Sequence, residues 1–255
     1  MKKYLLDFEI IENKKLSPNY SVLIIKPKQA SLPDINPGQF VEIEIPNSKS
    51  TFLRRPISVN FVDKEKDLLW LLVRKAGNGT SSLLGMQEGE SLNLLLPLGN
   101  GFSIYPGEDM LLIGGGVGVA PLLYLGKIAK EKGANVKFLL GARSKNDLLE
   151  LDKFEKIGEV YISTENGDFG EKGFVTQNSV LNEVKNCHIS CCGPMPMMKA
   201  VANIAKEKQL DCEVSLENTM ACGLGACLCC VEDTVDGNVC VCKEGPVFNI
   251  KKLKW

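Results

Sequence analysis

Six of the ten cysteines in this 255-residue chain lie between residues 222 and 242. Three of them, Cys222, Cys227 and Cys230, have the C-x4-C-x2-C spacing that is typical of plant-type 2Fe-2S ligation. Cys242 can supply the fourth thiolate. The spacing therefore predicts that this segment holds a 2Fe-2S cluster.

A structural zinc site is the alternative interpretation of the cysteine segment. Such sites usually draw their ligands from two C-x2-C pairs, whereas only Cys227 and Cys230 form such a pair here. Plain buried cysteines are a third interpretation. Because Cys240 lies only two residues before Cys242, the spacing alone leaves either thiol available as the fourth ligand.

A glycine loop at residues 114–118, Gly-Gly-Gly-Val-Gly, joins a predicted strand over 110–113 to a predicted helix over 120–132. In this context, glycines let a pyrophosphate approach the N-terminus of a helix. The full G-x-G-x-x-G pattern is not present, because Pro121 stands at the third glycine position and the next predicted strand runs into Arg143 rather than an acid. The loop alone leaves nucleotide binding and a structural tight turn as alternatives.

The composition excludes several other kinds of chemistry. Thirty Lys and Arg residues balance 31 Asp and Glu residues, and a net charge of -1 offers no field that would recruit nucleic acid or an acidic membrane. The single histidine, His188, cannot supply the two that an HExxH zinc hydrolase or a Rieske centre requires. A Ser-His-Asp hydrolase would have to depend on that one residue.

The start of the chain argues against export. Asp7 and Glu9 interrupt any apolar signal core, and the many cysteines fit a reducing compartment. The longest apolar run, at residues 110–125, contains four glycines and a proline and is short for a membrane span. We therefore expect a cytoplasmic protein that binds neither nucleic acid nor membrane.

Two hydrophobic patterns along the sequence indicate the secondary structure that positions the cysteines and the glycine loop. From residue 4 to about 96, short β-branched and aromatic runs alternate with turn clusters, which predicts an antiparallel barrel or sandwich of about six strands. After residue 107, strands alternate with helices, which predicts a parallel sheet covered on both faces. From residue 217 onward, cysteine and glycine dominate. We therefore expect three domains, at residues 1–100, 101–216 and 217–255.

An arginine motif in the predicted barrel can be interpreted only together with the motifs that follow it along the chain. Arg-Pro-Ile-Ser at residues 55–58 begins a strand, and on composition alone Arg55 fits a solvated charge as well as a phosphate ligand. Gly-Thr-Ser-Ser at 79–82, the glycine loop through Pro at 114–121, and Cys-Gly-Pro at 192–194 follow in that order. This ordered set resembles the ferredoxin reductase family of flavoproteins.

The C-terminal segment narrows the resemblance to one branch of that family. The cysteine run, together with Cys-Lys-Glu-Gly-Pro-Val-Phe at residues 242–248, is similar to that of the electron-transfer subunits of type B dihydroorotate dehydrogenases. The likeness covers essentially the whole chain. It implies a flavin-binding β-barrel, a parallel-sheet nucleotide-binding domain and a small 2Fe-2S domain.

The resemblance also implies a set of binding residues for each cofactor. FAD would use the barrel motifs, with Arg55 at its pyrophosphate, and NAD would use the glycine loop and the Cys-Gly-Pro turn. The implied FAD residues are Arg55, Pro56, Ile57, Ser58, Leu72, Val73, Arg74, Gly79 and Thr80. The implied NAD residues are Gly114, Gly115, Gly116, Gly118 and Cys192, and the implied cluster ligands are Cys222, Cys227, Cys230 and Cys242. Cys240 would then be a bystander.

The reaction implied by the resemblance needs a second subunit. Dihydroorotate would be oxidised at FMN in a separate catalytic subunit, and its electrons would pass through the 2Fe-2S cluster and FAD to NAD+ in pyrimidine biosynthesis. The complex would be a heterotetramer with two copies of each subunit, and the iron-sulfur edge of this chain would face its partner. Because the flavin carries the hydride chemistry, no catalytic acid or base is expected from this chain.

Two alternative functions stay open on the sequence. One is the flavin and iron-sulfur subunit of a sulfide dehydrogenase or NAD(P)H:ferredoxin oxidoreductase complex, which differs in its partner. The other is a non-enzymatic, zinc-stabilised interaction protein, in which the glycine loop is only a turn.

Overall fold

The computed structural model describes residues 2–46, 48 and 51–255. The contacts within the chain divide it into two compact units. The first consists of Met1–Gly101, Glu217–Glu232 and Asn238–Pro246, and the second of Phe102–Leu216, Asp233–Gly237 and Val247–Trp255. All of the cysteines from 222 to 242 therefore belong to the first unit. The three-domain division at residues 100 and 216 stays a prediction.

The first unit contains a closed antiparallel barrel, as the strand pattern predicts. Within the described residues, its strands are β1 (Tyr4–Ser17), β2 (Tyr20–Pro27), β3 (Phe40–Ile43), β4 (Arg55–Asp63), β5 (Leu68–Arg74) and β6 (Ser91–Leu98), and a helix, α1 (Asn78–Gly85), follows β5. Their order round the barrel is β1-β2-β5-β4-β3-β6. Along β6, Leu92, Leu94 and Leu96 are buried, while Ser91 and Asn93 keep contact with solvent. This period of two directs alternate side chains into the barrel core.

The second unit begins with strands and helices in alternation. They are β7 (Asp109–Gly115), α2 (Ala120–Glu131), β8 (Asn135–Ala142), α3 (Leu151–Ile157), β9 (Glu159–Thr164), β10 (Glu171–Lys172), α4 (Val180–Glu183), β11 (Cys187–Cys192), α5 (Met195–Glu207) and β12 (Asp211–Ser215). In α5, Met198, Val201, Ala202 and Ala205 are buried at helical spacing. Six of the seven residues of β7 are buried, as expected for a strand covered on both faces.

The C-terminal part of the chain adds short elements. They are β13 (Val231–Thr234), β14 (Gly237–Cys240), α6 (Val241–Glu244) and β15 (Val247–Asn249). The sheet of the second unit has the order β10-β9-β8-β7-β11-β12-β15, in which β15 runs antiparallel to β12. The chain goes from β7 outward to β8 on one side and later returns to β11 on the other. This reversal beside β7 makes a crevice at the carboxyl ends of the strands, where α/β sheets bind ligands.

The single histidine, His188, lies on β11 in the second unit and contacts an aromatic ring and a carboxylate. The His188 ring stacks on Tyr105, with ring centroids 3.3 Å apart, and its Nε2 lies 2.8 Å from Glu108 Oε2. The Tyr105 hydroxyl donates to Asp211 at 2.9 Å. Burial and this carboxylate raise the pKa of Tyr105 to about 12. Because His188 follows the first residue of β11, it lies at the opposite end of the sheet from the glycine loop.

Within the described ranges, no helix of the structure is both long enough and apolar enough to cross a membrane.

Candidate functional site

The cysteine loop directs backbone N–H groups at its sulfur atoms. Leu224 N–H donates to Cys222 Sγ at 3.3 Å, and Gly225 N–H donates to Cys242 Sγ at 3.1 Å. Cys242 N–H in turn donates to Cys230 Sγ at 3.4 Å. Gly225 has a φ of +80°, a conformation that glycine adopts without strain. Such donors stabilise thiolates and orient them as ligands.

The four predicted ligands form two pairs. Cys222 has a side-chain hydrogen bond with Cys227, and Cys242 has one with Cys230. Burial acts to raise the pKa of Cys222, but the hydrogen bonds from Leu224 and Cys227 outweigh it and lower the pKa to about 6. Burial and the bond to Cys230 raise the pKa of Cys242 to about 12. Because each iron of a 2Fe-2S cluster takes two thiolates, this pairing fits the cluster that the spacing predicts.

In the part of the chain that the structure describes, no group of three or more Cys, His, Asp or Glu side chains converges on one metal position. The preference for a 2Fe-2S cluster over a structural zinc ion therefore rests on the spacing of the cysteines.

Cys240 has different surroundings from Cys242. Its backbone N–H donates to Glu244 Oε2 at 3.0 Å, and its thiol lies 3.8 Å from the Gly225 carbonyl oxygen, which it faces as a donor. Burial, helped by the nearby charge of Cys230, raises the pKa of the Cys240 thiol. The geometry thus favours Cys242 as the fourth ligand.

Arg55 connects two of the predicted flavin motifs. A Cβ built on Gly79 would lie 2.8 Å from Arg55 Nε, so this side chain crosses the first turn of α1. Thr80 Oγ1 accepts hydrogen bonds from the N–H groups of Ala76 and Gly77, at 2.8 and 3.1 Å. A guanidinium beside a helix N-terminus is suited to a pyrophosphate, and the absence of a side chain at Gly79 provides the space.

The neighbouring arginine is held by the barrel, a difference that the sequence did not reveal. Arg54 Nη2 donates to Glu44 Oε2 at 2.7 Å and to Asn93 Oδ1 at 2.6 Å, and its Nη1 donates to the Asn93 carbonyl oxygen at 3.0 Å. Within the described residues, Arg55 Nη1 donates to the carbonyl oxygens of Leu53 and Arg54, at 2.9 and 3.2 Å, and to no acidic side chain. Of the pair, Arg55 is therefore the one available to an anion.

The remaining predicted flavin residues lie on β4 and β5, which are adjacent in the barrel. Pro56 and Ser58 are opposite Glu42 and Phe40 of β3, so they share one face of β4, and Ile57 has the other. Leu72 and Val73 are buried, while Arg74 is exposed at the end of β5. Arg74 is therefore the one of these three that a ligand could reach from solvent.

The predicted nicotinamide residues meet at the crevice of the second unit. Gly114 and Gly115 end β7, and Gly116 and Gly118 belong to a 3₁₀ turn that runs into α2. A Cβ on Gly118 would lie 2.5 Å from the Cys192 carbonyl oxygen and 2.5 Å from Gly193 Cα. The glycine loop therefore packs directly against the loop that follows β11.

Met197 is part of the same crevice, although the sequence did not single it out. A Cβ on Gly115 would lie 2.5 Å from its Sδ, and a Cβ on Gly193 would lie 2.5 Å from its Cε. Its position in α5, directly after Cys-Gly-Pro-Met-Pro, was the signal that could have identified it.

Gly118→Ala should raise the KM for NADH by at least about tenfold, because the new methyl group would overlap backbone atoms of the facing loop, which cannot yield as a side chain can. Steady-state reduction of a dye by NADH measures the effect. Gly85→Ala is the control, because no atom lies within 4 Å of its added Cβ. Equal KM values for both variants would contradict the placement of NAD at this loop.

Two family models match this chain, one over the cysteine segment and one over the domain that contains the glycine loop. Residues 217–254 match the iron-sulfur cluster binding domain of dihydroorotate dehydrogenase B. Residues 112–203 match the oxidoreductase NAD-binding domain.

Similar solved structures share this fold. An NADH-dependent reduced ferredoxin-NADP oxidoreductase, studied for flavin-based electron bifurcation, superposes with a TM-score of 0.87 at 30% identity, over 97% of this chain and 90% of its own. The ferredoxin reductase of carbazole 1,9a-dioxygenase has the same fold, with a TM-score of 0.72 at 20% identity, over 82% of this chain and 67% of its own. The fold and the cysteine loop together define a ferredoxin reductase-like oxidoreductase subunit with an iron-sulfur domain.

Curated relatives identify the family within this class. The protein from Caldanaerobacter subterraneus subsp. tengcongensis is 43% identical over 84% of this chain and 85% of its own length. The protein from Bacillus pumilus is 39% identical over 85% of this chain and 85% of its own length. The protein from Bacillus cereus strain Q1 is 36% identical over 96% of this chain and 96% of its own length. All three are named dihydroorotate dehydrogenase B (NAD(+)), electron transfer subunit. The chain belongs to this family of electron-transfer subunits, and that name implies a catalytic partner.

Proposed function

We propose that this chain carries electrons released from dihydroorotate in an FMN-containing catalytic subunit, by way of a 2Fe-2S cluster and FAD, to NAD+. The observation that carries the proposal is the cysteine loop, in which backbone N–H groups donate to the sulfur atoms of Cys222, Cys230 and Cys242, in the same compact unit as the flavin motifs. The bound flavin supplies the change between one-electron and two-electron chemistry.

The residues of the chain bind and orient these groups. The four thiolates would ligate the cluster, while the N–H groups of Leu224 and Gly225 hold two of the sulfurs in place. Arg55 and the start of α1 would hold the FAD pyrophosphate. The glycine loop would let the NAD pyrophosphate approach the N-terminus of α2. The chain needs no acid or base of its own for hydride transfer.

The partner would dock on the edge that carries the cysteine loop. Leu224 and Leu228 lie in that loop and are 43% and 65% exposed. Large apolar side chains exposed near one another are typical of an interface. We propose a cytoplasmic heterotetramer with two copies of each subunit, whose mass light scattering can measure.

Leu228→Asp should raise the Kd for the catalytic subunit by about tenfold or more, because a buried charge replaces an apolar contact. Calorimetry with the two purified subunits measures it. Leu5→Asp is the matched control, since Leu5 is 60% exposed on β1, far along the sequence from the loop. Equal loss of affinity in both variants would count against this edge.

Co-expression with the catalytic subunit tests the function itself. The complex should reduce NAD+ with dihydroorotate, and the catalytic subunit alone should not. The second candidate is an NAD(P)H:ferredoxin oxidoreductase or sulfide dehydrogenase subunit, and the structural neighbour with a TM-score of 0.87 is a ferredoxin-NADP oxidoreductase. A complex that is inactive with dihydroorotate, in a preparation where NADH reduces ferredoxin, would support that alternative.

A further inference from the structure

β3 carries a buried acid that none of the sequence motifs includes. Glu42 is 0% exposed, and within the described residues neither of its carboxyl oxygens has a hydrogen-bond partner. Burial of a carboxylate without partners is destabilising, and an apolar residue of similar volume would serve a barrel wall better. Its presence therefore points to a role other than stability.

Glu42 lies between the flavin strand and the cysteine loop. In the barrel it is directly opposite Pro56 of the Arg-Pro-Ile-Ser motif. On its other side, a Cβ built on Gly223 would lie 2.8 Å from Glu42 Cγ and 3.3 Å from its Oε1. The backbone that follows Cys222 therefore rests on this side chain, and only glycine at 223 allows so close an approach.

The charged groups near Glu42 come from both the flavin motif and the cysteine loop. Desolvation raises the pKa of its carboxyl to about 7, Arg54 and Arg55 act to lower it, and Cys222 acts to raise it. Arg54 makes no direct bond to the carboxylate, because its guanidinium donates to Glu44 and Asn93 instead. Glu42 is buried and Cys222 is half-buried, so their charges affect one another more strongly than charges on exposed groups do.

We propose that Glu42 is a positioning residue for electron transfer, which sets the reduction potential of the cluster held at Cys222 and so biases electron exchange with the flavin. The proposal rests on the cluster and flavin assignments of the proposed function. Reduction adds one negative charge beside the carboxylate, and the repulsion lowers the potential. No bond forms or breaks in this step, which moves one electron.

The test is a redox titration of the reconstituted holoprotein, followed by the electron paramagnetic resonance signal of the reduced cluster at pH 9. Glu42→Gln should favour the reduced cluster by at least about tenfold, which is 59 mV for one electron. Glu9→Gln, on the exposed surface of β1, removes the same charge and should leave the potential unchanged. An unchanged potential in Glu42→Gln with full iron content would overturn the proposal.

Glu42→Leu separates this role from a structural one. It should shift the potential in the same direction and also raise the midpoint of thermal unfolding, because it removes an unpartnered buried carboxyl group. Loss of the cluster from both Glu42 variants, or a lower unfolding midpoint in Glu42→Leu, would make Glu42 a structural residue and overturn the proposal. Wild-type protein that shows no cluster signal after reconstitution would instead contradict the proposed function.

Discussion

Cys242→Ser is expected to retain almost no iron, whereas Cys240→Ser should keep about two iron atoms per chain. Cys242 Sγ accepts the Gly225 N–H and pairs with Cys230, so its loss leaves one iron with a single thiolate. Cys240 instead directs its thiol toward a carbonyl oxygen. Iron and acid-labile sulfide assays on the two purified variants give the answer.

This pair of variants is matched, because both residues are buried cysteines in the same segment. A general loss of stability would therefore affect both, and thermal unfolding of each apoprotein controls for it. Iron retained in Cys242→Ser and lost in Cys240→Ser would contradict the assignment and make Cys240 the fourth ligand.

Arg55→Ala should raise the Kd for FAD by about tenfold to a hundredfold. This corresponds to the loss of a charge-assisted hydrogen bond to the pyrophosphate, worth about 1.5–3 kcal/mol. The side chain already crosses the first turn of α1, so binding needs little rearrangement. Fluorescence of FAD released on dilution, set against protein concentration, measures the change.

Arg55→Lys provides the control for charge, since it keeps the cation but loses the two-pronged guanidinium. We expect a Kd between those of the wild type and Arg55→Ala. A flavin-to-protein ratio that is unchanged in Arg55→Ala would place the pyrophosphate elsewhere.

Much of the architecture could be predicted because the relevant signals are local. The alternation of short strands and turns before residue 96 and of strands and helices after residue 107 each depend on neighbouring residues, and the barrel and the parallel sheet are both confirmed. The cysteine spacing is local in the same sense, since three predicted ligands lie within nine residues. The order of the motifs then identified the family, which the comparisons confirm.

Other features depend on contacts between distant parts of the chain and could not be predicted. Arg54 and Arg55 are adjacent in sequence, but only the position of Asn93 on β6 shows that Arg54 is held by the barrel. Glu42 looks like an ordinary polar residue of a strand until Gly223, 181 positions later, covers it. The pairing of Cys230 with Cys242 likewise becomes visible only in the folded loop.

The most direct test of the central claim is an anaerobic visible absorption spectrum of the purified chain, before and after the addition of NADH. We predict flavin bands over a broad iron-sulfur background, and NADH should bleach both because electrons pass from the nucleotide through the flavin to the cluster. A colourless protein that stays colourless after reconstitution with FAD, iron and sulfide, and that binds zinc instead, would contradict the account.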